Sequence, residues 1–174
     1  MNEKKALVLA KEGFELYKQE KYFEAEEIYS QAMKHINPDH LSTTDIHAQY
    51  ALVLHALNKK EEALEQYKLA LNSALKSDEP NSVTVTYARF CLADYYRILG
   101  NLKEGLKIIK PSLETECESK WLACFLAAQI HYKLGNEEAS NEFASQVMFL
   151  APKGKYKSLK ELKNIIRSNY VENS

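Results

Sequence analysis

Four stretches of the chain end alike: Ala25-x3-Tyr29-x2-Ala32, Ala63-x3-Tyr67-x2-Ala70, Gly105-x3-Ile109-x2-Ser112 and Ser140-x3-Ala144-x2-Val147. They begin at steps of 38, 42 and 35 residues. Self-similarity at a few tens of residues marks stacked supersecondary units, none of which can bury its apolar face alone. The uneven steps suit helical hairpins with loops of variable length rather than a duplicated tract.

Composition agrees with that reading. Five glycines and four prolines in 174 residues leave few strand turns, and the Ala, Leu, Glu and Lys that fill the chain favour helix. Length and the 45% hydrophobic content allow one soluble domain with a sizeable core. A net charge of −1 gives no overall field to hold nucleic acid or an anionic membrane. Lys11, Glu12 and Glu15 break the opening apolar stretch, so no signal-peptide core is read there. No run reaches the roughly eighteen apolar residues of a membrane span. Cys91, Cys117 and Cys124 are odd in number and unclustered, which predicts reduced thiols and a cytoplasmic setting.

Apolar residues recur at three- and four-residue steps, the helical period. Leu9, Gly13, Leu16 and Tyr17 line a first helix; Tyr22, Ala25, Ile28, Tyr29 and Ala32 line a second, which Asn37-Pro38 stops. A second pair runs from Asp45 to Leu57 and from Glu61 to Leu75, its start Ser42-Thr43-Thr44-Asp45 having the form of a capping box. The polar stretch 77–82 is the central loop. A third pair turns at Gly100-Asn101 and a fourth at Gly135-Asn136. Pro111 predicts a kink or early stop, since proline inside a helix costs about 3 kcal/mol, with 114–118 as loop. A last helix, about 155–170, carries Tyr156, Leu159, Leu162, Ile166 and Tyr170 on one side. It predicts an amphipathic cap over the apolar end of the stack.

These residues resemble the tetratricopeptide repeat, an antiparallel helix pair of about 34 residues with small residues where its helices cross. Leu9, Gly13, Leu16, Ala25, Tyr29 and Ala32 match in the first unit; His47, Tyr50, Ala51, Leu54, Ala63, Tyr67 and Ala70 match in the second. Leu92, Ala93, Tyr96, Gly100 and Gly105, then Ala127, Ala128, Gly135, Ser140 and Pro152, match in the third and fourth. His131 departs from the pattern, standing where the family usually has Tyr. The resemblance implies an all-α fold: a right-handed α-solenoid of about four antiparallel helix pairs plus a C-terminal capping helix. It reads as a single domain, with repeats at about 6–39, 44–77, 86–115 and 121–152.

The same resemblance implies a concave groove lined by the first helix of each pair. The groove-facing offsets are Ala10, Phe14, Tyr17 and Lys18; Ala48, Gln49, Leu52 and His55; Tyr87, Phe90, Cys91, Asp94 and Arg97; and Phe125, Leu126, Gln129, Tyr132 and Lys133. Such a surface would hold an extended or helical peptide through apolar anchors, with Asp94, Arg97 and Lys133 setting its direction. Aromatics that pack on neighbours or on the cap would leave the groove shallow. The family's grip on chaperone C-terminal carboxylates uses Lys, Asn and Arg. The places concerned hold Ala10, Phe14, Gln49, Tyr87 and Cys91, so that mode is not implied.

Chemistry-bearing motifs are absent from the sequence. The histidines (35, 40, 47, 55 and 131) form no His-x3-His pair, and the cysteines have no metal-ligand spacing. No phosphate-binding glycine loop and no nucleophile elbow occurs. The expectation is a non-enzyme without cofactor or metal: an adaptor or scaffold binding a protein or peptide. The alternatives are a peptide- or ligand-responsive regulator or chaperone that sequesters a partner, and a homo-oligomeric assembly subunit, a homodimer included. The lysines of the last helix invite nucleic acid, yet a charged outer face is what a soluble cap needs, so no nucleic acid or membrane partner is expected.

Overall fold

The computed structural model describes residues 2–37, 40 and 42–168. Among them are nine α-helices and no strand: α1 (Glu3–Lys18), α2 (Tyr22–Met33), α3 (Ser42–Ala56), α4 (Lys60–Ser77), α5 (Val83–Ile98), α6 (Leu102–Glu114), α7 (Lys120–Lys133), α8 (Glu137–Leu150) and α9 (Leu159–Ser168). The all-α expectation holds. The chain divides into two compact units, Met1–Pro80 and Asn81–Ser174.

In the first unit α1 packs on α2 and α3 on α4, and α3 also meets α1 and α2. In the second, α5 packs on α6 and α7 on α8, α7 meets α5 and α6, and α9 lies on α7 and α8. Each hairpin thus uses its neighbour to bury a face it cannot bury alone, the packing of an α-solenoid.

The repeated motif is the buried stripe of the second helices. Ala25, Tyr29 and Ala32 are buried on α2; Ala63, Tyr67 and Ala70 on α4; Gly105, Ile109 and Ser112 on α6; Ser140, Ala144 and Val147 on α8. Steps of four and three keep these side chains on one face, and the small residues among them let the partner helix approach. A Cβ at Gly105 would stand 3.0 Å from the Ala93 carbonyl oxygen of α5 and 3.1 Å from Ile130 Cδ1 of α7. At Gly13 it would stand 2.8 Å from the ring of Tyr29. That ring is completely buried, stacks on Tyr50 at 5.5 Å and has no room to yield.

All four hairpin turns share one geometry. The second residue after the first helix has positive φ: Glu20 (61°), Asn58 (59°), Gly100 (80°) and Gly135 (76°). Its N–H bonds the carbonyl three residues back, and the next N–H bonds the one five back, as in Glu20 to Tyr17 (2.9 Å) and Lys21 to Leu16 (3.0 Å). Asn58 and Lys59, Gly100 and Asn101, and Gly135 and Asn136 repeat the pattern. This is the Schellman stop, which satisfies orphan carbonyls and reverses the chain.

Three local expectations need correction. α6 does not stop at Pro111 but runs through it to Glu114, where Thr115 takes an extended conformation and its hydroxyl donates to the Pro111 carbonyl (3.2 Å). Proline there forfeits the single bond to the Lys107 carbonyl, and the helix continues for only three residues beyond it. α3 begins at Ser42, and the Ser42 hydroxyl does not close a capping box. It donates to Glu3 of α1 (2.9 Å), while Thr43 donates to the Asn37 carbonyl (2.5 Å). The last helix starts at Leu159 rather than about 155, so Tyr156 precedes it. Pro38, Tyr170 and the helix end expected at 170 lie outside the described residues.

Candidate protein-binding faces

In the first unit the predicted contact residues sit on α1 and α3. Phe14 and Tyr17, one turn apart, are half-buried and stacked with centroids at 6.0 Å; Tyr17 also meets Tyr22 at 5.7 Å, and the Lys18 ammonium lies 5.3 Å over Phe14. Burial, then the neighbouring Tyr22, raises the Tyr17 phenol above its ordinary range, which keeps it a neutral hydrogen-bonding group. Leu52 and His55 are half-buried on α3. Gln49 serves the packing instead, its amide oxygen accepting the buried Tyr29 hydroxyl (3.0 Å). Ala10 and Ala48 are buried and offer no groove surface.

In the second unit Tyr87 and Phe90 on α5 repeat the aromatic pair at the same spacing, stacked at 6.4 Å, with Tyr87 47% exposed. One turn on, Arg97 Nε donates to Asp94 Oδ1 (2.6 Å), and both side chains are largely shielded. Burial, with the nearby Arg97 adding to it and Asp94 opposing, lowers the Lys133 ammonium on α7. Arg97 and Asp94 thus lie close enough to Lys133 to act on its charge.

The α7 residues depart from expectation. Gln129 is 4% exposed and Leu126 fully buried, so both belong to the interhelical packing and not to an accessible groove. The C-terminal segment covers the rest. Phe125 stacks on Tyr156 at 6.4 Å, and the Arg167 guanidinium lies 5.7 Å from the Tyr132 ring. Both aromatics pack on a cluster of Cys124, Ala128, Ala144, Val147, Leu162 and Ile166. The cap occupies their faces because burying Leu162 and Ile166 contributes about 1.5–3 kcal/mol each.

Periodicity missed two groupings. Lys155 lies 4.5 Å over Trp121, a pairing of residues distant in sequence that no local pattern signals. Cys117 sits just ahead of α7 with its sulfur 3.4 Å from the Thr86 hydroxyl and 3.6 Å from that of Ser119. Burial pushes its thiol up, but these bonds and the Ser119 and Lys120 backbone amides outweigh that and bring it below its usual range. Cys124 is fully buried, and burial pushes its thiol up to about 11. Among the described residues no three His, Cys, Asp or Glu side chains are grouped to hold a metal ion, and no helix is long and apolar enough to cross a membrane.

Stacked helical hairpins with small-residue crossings and shared left-handed turns define a helical-repeat protein. Residues 6–76, which lie in the first unit, match the family model described as Tetratricopeptide repeat, and that stretch is similar to this family. Repeats of this family generally mediate protein–protein interaction and are generally non-catalytic. A search of the curated proteins finds no match.

Proposed function

We propose that the protein is a non-catalytic cytoplasmic adaptor or scaffold that holds a protein or peptide partner against the first helices of its hairpins. The observation carrying this is the matched pair of stacked aromatics on the opening helix of each unit, Phe14–Tyr17 on α1 and Tyr87–Phe90 on α5. Rigid, partly exposed rings with a polar edge give large contact area at little entropic cost, and such residues dominate interface energies. Leu52 and His55 extend the first contact face, and Asp94 with Arg97 supplies polar selection beside the second. Phe125 and Tyr132 hold the cap and contribute to binding through it.

The test is capture of partners from native cytosol by wild-type protein, Phe14→Ala/Tyr17→Ala and Tyr87→Ala/Phe90→Ala, each verified as folded by circular dichroism. A partner bound by the wild type should lose at least ten-fold in retention on one variant. Full retention of every partner on both variants would refute the reading.

A further inference from the structure

The most exposed large apolar side chain among the described residues belongs to neither face. Phe149, in the last turn of α8, is 87% exposed. It falls two residues after Val147, about 200° around the helix from the buried stripe. Phe149, Met148, Pro152, Lys153, Gly154 and Tyr156 line an open cavity of about 350 Å³. On its other side the ring joins Glu116, Lys120, Glu142 and Leu150 around a second open cavity of about 520 Å³.

The segment that follows it is one-sided in charge. Residues 151–168 hold six cations, Lys153, Lys155, Lys157, Lys160, Lys163 and Arg167, against the single acid Glu161. Glu161 is already engaged, accepting the Lys157 backbone N–H (2.7 Å). Lys155 and Arg167 lie over aromatic rings. Lys153, Lys157 and Lys160 are exposed, and none makes an ion pair with a described residue.

We infer that Phe149 and the lysines following it form a second docking surface, on the α8–α9 corner, for an acidic protein segment carrying one large apolar side chain. The apolar side chain packs on Phe149 in the smaller cavity, and the acidic residues run toward Lys153, Lys157 and Lys160. Charge selects this occupant. A second copy related by a twofold axis would set these lysines against themselves, since such an interface pairs a patch with its own copy. A uniform polyanion, whether nucleic acid or an anionic bilayer, would also cover the other flank of the ring and meet Glu116 and Glu142. A short acidic segment with an apolar anchor meets the lysines alone.

The test uses the whole chain and three fluorescein-labelled twelve-residue peptides. One has six acidic residues beside a central Leu-Phe, one replaces Leu-Phe by Ser-Ser, and one replaces the acids by Lys. Fluorescence anisotropy at low salt should show saturable binding of the first peptide only. Phe149→Ser, at a solvent-exposed position, and Lys153→Glu/Lys157→Glu/Lys160→Glu should each weaken it ten-fold or more. Rising salt should weaken it as well. Phe14→Ala/Tyr17→Ala and Tyr87→Ala/Phe90→Ala should leave it unchanged, which separates this surface from the faces proposed above. No binding of the acidic–apolar peptide, or equal binding to Phe149→Ser, would overturn the inference. So would equal or tighter binding of single-stranded DNA or phosphatidylserine vesicles, which would make the corner a polyanion site.

Discussion

Glu20 is the one charged residue held at positive φ in a hairpin turn, and replacing it by glycine should stabilise the protein. The four turns are copies of one Schellman stop, with Glu20, Asn58, Gly100 and Gly135 in the left-handed place. For a residue with a Cβ that conformation costs roughly 1–2 kcal/mol. Glycine removes the cost but has more freedom to lose from the unfolded chain, about 0.4–1 kcal/mol. Glu20→Gly should therefore gain about 0.5–1 kcal/mol, or about 1–4 °C in Tm for a chain of this length. Nothing opposes the gain, because the Glu20 side chain is exposed and the turn's bond uses only its backbone N–H. Asn58→Gly should gain less, since asparagine tolerates this region. Gly100→Ala and Gly135→Ala should each lose about 1 kcal/mol; an added Cβ meets nothing within 4 Å at either place, so backbone conformation alone is tested. Urea titrations followed by far-UV circular dichroism read both units, and fluorescence of Trp121, the single tryptophan, reads the second. A Glu20→Gly midpoint at or below wild type, with Gly100→Ala lowered as expected, would refute the claim that strain at Glu20 is relieved by glycine.

Two further outcomes follow from buried polar atoms. Ser112 is fully buried on α6 with no hydrogen-bond partner for its hydroxyl, where the first two repeats carry Ala32 and Ala70. Ser112→Ala should raise stability by about 1 kcal/mol, from the unsatisfied group removed and the better helix former gained, read by the same urea titration; a lower midpoint would disprove it. His131 stacks on Phe143 at 5.5 Å with Nδ1 buried and unbonded, and burial lowers its pKa. Below about pH 6.5 the unfolded chain takes up a proton more readily than the folded one, so stability present above that pH is lost as pH falls through it. His131→Phe keeps the stack and removes this titration, so the loss of stability from pH 7 to pH 5.5 should be smaller than in wild type. The buried His47, also lowered by burial, keeps part of the slope in place. An unchanged slope would show that His131 does not titrate on unfolding.

The fold was legible because its determinants are local and repeated. The four-then-three spacing of small and aromatic residues is the buried stripe itself, and a stripe of that width can be covered only by another helix. Gly100 and Gly135 announced two turns by composition. Asn58, a residue type that tolerates the left-handed region, fits a third; Glu20 did not announce its turn, although all four have one conformation, because strain paid within a packed hairpin leaves no mark in residue type. The candidate faces were only half legible, for a related reason. Offsets along a helix tell which side a residue lies on, and they placed Phe14, Tyr17, Tyr87 and Phe90 on partly accessible surface. They do not tell what else reaches that side. Gln49 was taken up by the hydroxyl of Tyr29, Gln129 by interhelical packing, and Phe125 and Tyr132 by a segment some thirty residues further along the chain. Phe149 shows the converse. It lies off the apolar stripe of its own helix, where periodicity assigns no partner, and the fold leaves it in the open next to Lys153, which forms no ion pair among the described residues. In a repeat protein the stripe encodes the stack, and the apolar residues out of step with it mark where the stack offers something to another molecule.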